Sequence, residues 1–109
     1  MEDCLFCKIA QKNIPVDFIY EDEHFVVFED KHPKAPTHLL LIPKQHIDSL
    51  LTVEPQHATL LGNLVLKIPE VAKAQGLEQG FRLQVNTGPA GGQEIYHLHF
   101  HILGQKARG

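Results

Sequence analysis

The sequence predicts an α+β fold, an antiparallel sheet of about five strands with one long and one short helix. Three observations carry this. Val16 to Tyr20, Phe25 to Phe28 and Phe81 to Asn86 alternate apolar and polar residues as half-buried strands do, and Tyr96 to Leu103 alternates most regularly. Leu39 to Ile42 is a continuous apolar run inside Thr37 to Pro43, as in a strand covered on both faces. Glu54 to Gln75 changes to a helical period. The 109 residues read as one domain spanning 1–109, at a size where enough apolar surface can be buried, though without a large margin.

In chain order, Cys4 to Lys12 reads as the short helix, ended near Asn13 and Pro15. The first two strands form a hairpin around Glu21-Asp22-Glu23-His24, where His24 reads as plain surface. Asp30-Lys31-His32-Pro33 then opens a loop stiffened by Pro33 and Pro36. In the long helix Leu60, Leu61, Leu64, Val65, Ile68 and Val71 fall on one stripe, with Thr52 as N-cap, Pro55 in the first turn, Gly76 as the stop and Pro69 as a kink. His57, near its exposed start, is expected to have no chemical role. Phe81 to Asn86 joins Tyr96 to Leu103 through the turn-rich Thr87 to Glu94, a second hairpin.

Composition excludes several functions. A formal charge of −3 without a basic cluster argues against nucleic acid as a partner. The apolar run Leu39 to Ile42 is too short to span a bilayer, and Met1-Glu2-Asp3 carries acids where a signal peptide has Lys or Arg. The expectation is a cytoplasmic protein with no membrane partner. Two cysteines in such a chain read as metal ligands or redox groups before a structural disulfide.

The chemistry concentrates near the C-terminus. In Tyr96 to Leu103 the side chains of Leu98, Phe100 and Ile102 face one way and His97, His99 and His101 the other. Three imidazoles in a row lose solvation and rotamer freedom that Thr, Lys or Glu would keep. Two chemistries fit them: a transition-metal site, or nucleophilic and acid–base catalysis. Gly91-Gly92 just upstream lacks Cβ atoms, so its amides can approach an anion, and Asn86 and Gln93 are neutral donors nearby; the group together points to a bound phosphate. Cys4-Leu5-Phe6-Cys7 supplies half a tetrahedral metal site. Two unrelated buried thiols or a redox pair have the same spacing, and with eight histidines present the spacing does not name two further ligands.

The run Gly91-Gly92-Gln93-Glu94-Ile95-Tyr96-His97-Leu98-His99-Phe100-His101-Ile102-Leu103 resembles the signature of the histidine triad (HIT) family, His-φ-His-φ-His-φ-φ with φ apolar. The resemblance extends to Asp30, to Pro33-Lys34-Ala35-Pro36-Thr37-His38 and to Ile42-Pro43-Lys44-Gln45-His46-Ile47, and it is nearest to the Hint-like branch of nucleoside phosphoramidases. It implies a HIT-like fold, usually a homodimer joined across the long helix and the Phe81 to Asn86 strand. It implies a purine nucleotide as substrate, with His99 as nucleophile, His101 as phosphoryl-oxygen donor and His38 as an orienting or relaying group. Asp30 would bind the ribose, Asn86, Gln93 and amides around Glu94 the phosphate or ribose, and Leu5, Phe6, Ile9, Ile14, Phe28 and Leu40 the base. It also implies a structural zinc ion on Cys4, Cys7, His46 and His97. A zinc-bound His97 could not relay protons to His38, and Glu94 stands where some members have Ser. Three other functions share these residues: a dinucleoside-polyphosphate hydrolase or nucleotidyl transferase, a non-catalytic nucleotide-binding scaffold, and a metal-handling module using all three strand histidines.

Overall fold

A computed structural model of the protein describes residues 4–107; Met1-Glu2-Asp3, read above as an acidic start, and Arg108 and Gly109 lie outside the described residues. The elements are α1 (Leu5–Ala10), β1 (Phe18–Glu21), β2 (Phe25–Glu29), β3 (Thr37–Pro43), a 3-10 turn at Pro55–His57 leading into α2 (Ala58–Ala74), β4 (Arg82–Gln84) and β5 (Phe100–Gly104). The five strands make one antiparallel sheet in the order β1-β2-β3-β5-β4. β3 is central and buried along its whole length, as its apolar run requires.

Pleating sorts the side chains onto two faces. Phe25, Val27, Leu39, Leu41, Phe100 and Ile102 pack against Leu64, Ile68, Val71 and Ala72 of α2. Val26, Phe28, Leu40 and Ile42 turn the other way, where Phe6, Ile9 and Ala10 of α1 cover them. Leu40 lies opposite His101 in the ladder, and His38 is two residues from Leu40, so both imidazoles share the α1 face.

α1 is too short to hold itself together in water. Its apolar face docks on the sheet, Cys4 caps it by accepting the Cys7 N–H on Sγ at 3.2 Å, and Lys12 at φ 65° turns the chain away. α2 is stopped by Gly76, two residues past its end, whose φ of 86° lets the Gly76 and Leu77 amides bond back to Lys73 and Ala72 at 3.1 and 2.9 Å.

Several expectations need correction. Thr52 does not cap the long helix: its hydroxyl closes a turn with Ser49, while His57 Nδ1 accepts the Glu54 N–H at 3.0 Å and so organises the helix start. Val65 is 56% exposed, because the buried stripe is narrower than the periodicity suggested, and Leu5 also faces out. The histidine strand is the largest difference. β5 begins at Phe100, and Tyr96 to His99 lie outside the ladder. The reason is Pro43 at the end of β3: it has no N–H to donate, and its carbonyl accepts from the His97 ring at 2.8 Å. The Leu98 amide bonds Ile47 O at 2.6 Å instead.

Candidate active site and metal centre

Cys4, Cys7, His46 and His97 converge from the start of α1, the loop after β3 and the lead-in to β5. Their ligand atoms all lie within 4.8 Å of one another. His97 Nδ1 is 3.3 Å from Cys4 Sγ and 3.4 Å from Cys7 Sγ, and His46 Nδ1 is 3.2 Å from Cys7 Sγ. Metal–sulfur and metal–nitrogen bonds of about 2.3 and 2.05 Å at a tetrahedral angle put S and N about 3.5 Å apart, so these four atoms fit one ion. The far nitrogens fit as well. His97 Nε2–H donates to Pro43 O at 2.8 Å, and His46 Nε2–H donates to Asp48 Oδ1 at 2.6 Å, which leaves each Nδ1 lone pair facing the sulfurs. Burial, with Cys4 beside it, pushes the Cys7 thiol up to about 11, and burial pulls His97 down to about 4. A bound cation reverses the first tendency and uses the second, since it needs thiolates and neutral imidazoles.

The second group is wired differently. The Lys34 amide donates to His38 Nδ1 at 3.0 Å, so in neutral His38 the proton sits on Nε2. That Nε2–H points at His101 Nδ1, 2.9 Å away, with Asp30 Oδ2 at 3.4 Å. His101 Nδ1 is thereby an acceptor and its Nε2 carries the remaining proton. His99 has the opposite polarity: its Nδ1–H donates to His97 O at 2.8 Å, leaving an Nε2 lone pair. The His99 and His101 rings lie edge to face at 5.0 Å. Burial lowers all three imidazoles, His101 to about 4 with His99 and His38 adding to the effect, so each is neutral at pH 7. A nitrogen lone pair and an N–H donor stand side by side.

His38 pairs with His101 rather than with His97, so the relay expected to be blocked by the metal does not pass through the metal ligand. Gln93 is also reassigned. It is buried, its amide donates to Asp48 O at 2.7 Å and Ile95 O at 3.0 Å, and its Oε1 accepts from the Gly88 N–H at 2.9 Å. No side-chain N–H of Gln93 is left for a phosphate, because the loop backbone takes both. Asn86 is similarly engaged, donating to Gly91 O at 2.8 Å and accepting from Gln84. The Gly91 and Gly92 amides close the 3-10 turn at Pro89–Gly91 by bonding Gly88 O and Pro89 O, so they are not the anion cradle the sequence suggested. Among the described residues, the amides of Glu94 and Ile95 find no acceptor, and the Glu94 side chain is exposed.

Asp30 Oδ1 caps the His32 amide at 2.8 Å, and Oδ2 faces His38. Phe6, Ile9, Phe28 and Leu40 gather in one buried cluster with Ile14 at its edge, and Phe6 stands edge-on to His99 at 5.0 Å. Asp48, Lys34 and the Pro43 carbonyl went unnoticed in the sequence. The His46-x-Asp48 spacing was the one available signal, since a carboxylate two residues from a ligating His commonly holds its far nitrogen.

Residues 3–109 match the family profile described as "Scavenger mRNA decapping enzyme C-term binding". The chain is 57% identical to Protein HitA of Neisseria gonorrhoeae over 104 residues, covering 95% of this chain and 97% of that protein. It is 48% identical over 106 residues to an uncharacterised HIT-like protein of Synechococcus elongatus, covering 97% of this chain and 93% of the relative. Among solved structures, a HIT family hydrolase from Legionella pneumophila superposes with a TM-score of 0.91 at 46% identity, covering 96% of this chain and 95% of that one. A histidine triad protein from Clostridium difficile gives 0.91 at 41% identity, covering 100% and 96%. With the His-φ-His-φ-His run in place and these likenesses spanning nearly every residue, the chain belongs to the histidine triad (HIT) family.

Proposed function

We propose that the protein is a hydrolase of nucleoside 5′-phosphoramidates of the AMP type, working through a covalent nucleotidyl-His99 intermediate. The observation that carries this reading is the opposed polarity of two adjacent rings: His99 offers a lone pair on Nε2, and His101 offers a proton on Nε2. His99 Nε2 attacks the α-phosphorus, the P–N bond breaks, and the amine leaves with a proton taken from solvent, which the attacking water of the second step returns. Water then attacks the phosphorus, releasing AMP and free His99. His101 Nε2–H bonds a phosphoryl oxygen, and the amides of Glu94 and Ile95 add donors to the developing charge. His38, held by the Lys34 amide and Asp30, keeps His101 in the donor tautomer.

Asp30 binds the ribose hydroxyls, and Phe6, Ile9, Ile14, Phe28 and Leu40 hold the base. Gln93 acts by shaping the loop rather than by donating to the phosphate, and Asn86, with one N–H on Gly91 O, keeps the other for the phosphate or ribose. Zinc is the ion that suits the Cys4, Cys7, His46 and His97 donor set, as a closed structural cross-link. The open edge of β4, with Leu83 46% exposed and Phe81, Val65 and Leu66 also exposed, supports a homodimer. No helix among the described residues is long and apolar enough to cross a membrane. Free Cys4 and Cys7 suit a reducing cytoplasm.

His99→Ala is expected to lower kcat for adenosine 5′-phosphoramidate by at least about 10⁴-fold, while AMP binding and metal content stay near wild type. Wild-type protein that binds AMP but turns over no phosphoramidate would reduce the function to a nucleotide-binding scaffold. Faster hydrolysis of a diadenosine polyphosphate than of the phosphoramidate would move it to the dinucleoside-polyphosphate branch.

A further inference from the structure

The metal centre and the nucleophile meet in one residue. His97 presents Nδ1 to both sulfurs, and its carbonyl accepts the His99 Nδ1–H at 2.8 Å. His97 to His99 precede β5, so the sheet ladder does not hold them. Their supports are the His97 ring bond to Pro43 O, the Leu98 amide bond to Ile47 O, next to the ligand His46, and the packing of Phe6. Phe6 lies between the two cysteines at the start of helix α1, which Cys4 caps. Its ring stands edge-on to His99 at 5.0 Å and 84°, and to His97 at 6.1 Å and 76°.

We propose that the Cys4/Cys7/His46/His97 centre is a positioning device for the nucleophile, with His97 and Phe6 as the positioning residues through which metal occupancy fixes the orientation and tautomer of the His99 ring. A metal-bound His97 holds its carbonyl where it keeps the proton on His99 Nδ1 and the lone pair on Nε2. A metal-anchored α1 holds Phe6 against the same ring. When the ion leaves, both supports loosen together and the ring gains rotational and tautomeric freedom. This rests on His99 being the nucleophile, but its first test does not.

That test is the ¹⁵N spectrum of the His99 ring in zinc-loaded protein, after chelation, and after zinc is restored. A single Nδ1–H tautomer when loaded, averaged or broadened signals after chelation and recovery on zinc return are expected. Unchanged His99 signals across the three states in folded protein overturn the proposal, whatever the substrate proves to be. If the chelated protein unfolds, Phe6→Leu with zinc retained takes its place. It is expected to shift the His99 signals and lower kcat about tenfold in addition to any rise in KM from its place at the base, whereas Val26→Ala, in the same apolar cluster but outside the base-holding residues, should lower stability alone. Phe6→Leu that raises KM and leaves kcat and the His99 signals unmoved confines Phe6 to holding the base and overturns its positioning role.

Discussion

The Cys4/Cys7/His46/His97 group and the Asp30/His38/His101 group are built from similar side chains a few residues apart, and each brings its ligand atoms within 4.8 Å of one another. What stands behind each ring separates them. In the first group the far nitrogen of each imidazole faces an acceptor, Pro43 O or Asp48 Oδ1, so the near nitrogen is free to bind a cation. In the second the far nitrogen of His38 faces a donor, the Lys34 amide, so the near nitrogen must carry the proton. A metal on His38 Nε2 would force a proton onto Nδ1, against that N–H. Proximity alone nominates two metal sites; hydrogen-bond polarity in the surrounding shell leaves one group able to hold a cation and one hydrogen-bonded pair of imidazoles.

The largest expected effect breaks the first group. Cys7→Ser should lose the bound ion, since a serine hydroxyl is a far poorer ligand than a thiolate, and should lower Tm by roughly 10 °C or more, equivalent to about 2 kcal/mol in a domain of this size. Metal analysis and calorimetry on the same preparation check it, and unchanged metal content would remove Cys7 from the centre. Breaking the second group should leave the metal alone. His38→Ala deprives His101 Nδ1 of its donor and is expected to lower turnover by about 10²-fold with zinc stoichiometry unchanged. A parallel loss of zinc would merge the two groups.

The smallest effect is on pH and isolates the imidazole pair. His101 is depressed from the ordinary 6.5 to about 4, chiefly by burial, so between those values the unfolded chain binds a proton that the folded chain does not. Its contribution to stability is therefore complete above about pH 6.5 and is lost as pH falls toward 4. Urea unfolding at several pH values should show wild type losing on the order of 1 kcal/mol relative to His101→Gln across that window, after allowance for solvent screening. Parallel curves would show that the ring is not held neutral by the fold.

The five strands and two helices were legible because their periods are long enough to read, and β3 most clearly because a run of Leu39, Leu40, Leu41 and Ile42 permits little else. The residues of both histidine groups were legible as chemistry. Their partners were legible only in part. Gln93 has the composition of a phosphate ligand, but main-chain carbonyls, among them the sequence-distant Asp48 O, take both of its donors. The alternation through Tyr96 to Leu103 promised one continuous strand, and Pro43 on the neighbouring strand ended it at Phe100.

By itself the sequence determined the order of the elements and which imidazoles and thiols are available, because these follow from local periodicity and residue type, and its motifs carried the resemblance to the family. Only the tertiary structure decided which nitrogen of each ring holds a proton. That depends on whether a carbonyl, a carboxylate or an amide from a distant part of the chain lies behind it, and such a neighbour leaves no mark in the local pattern of residues.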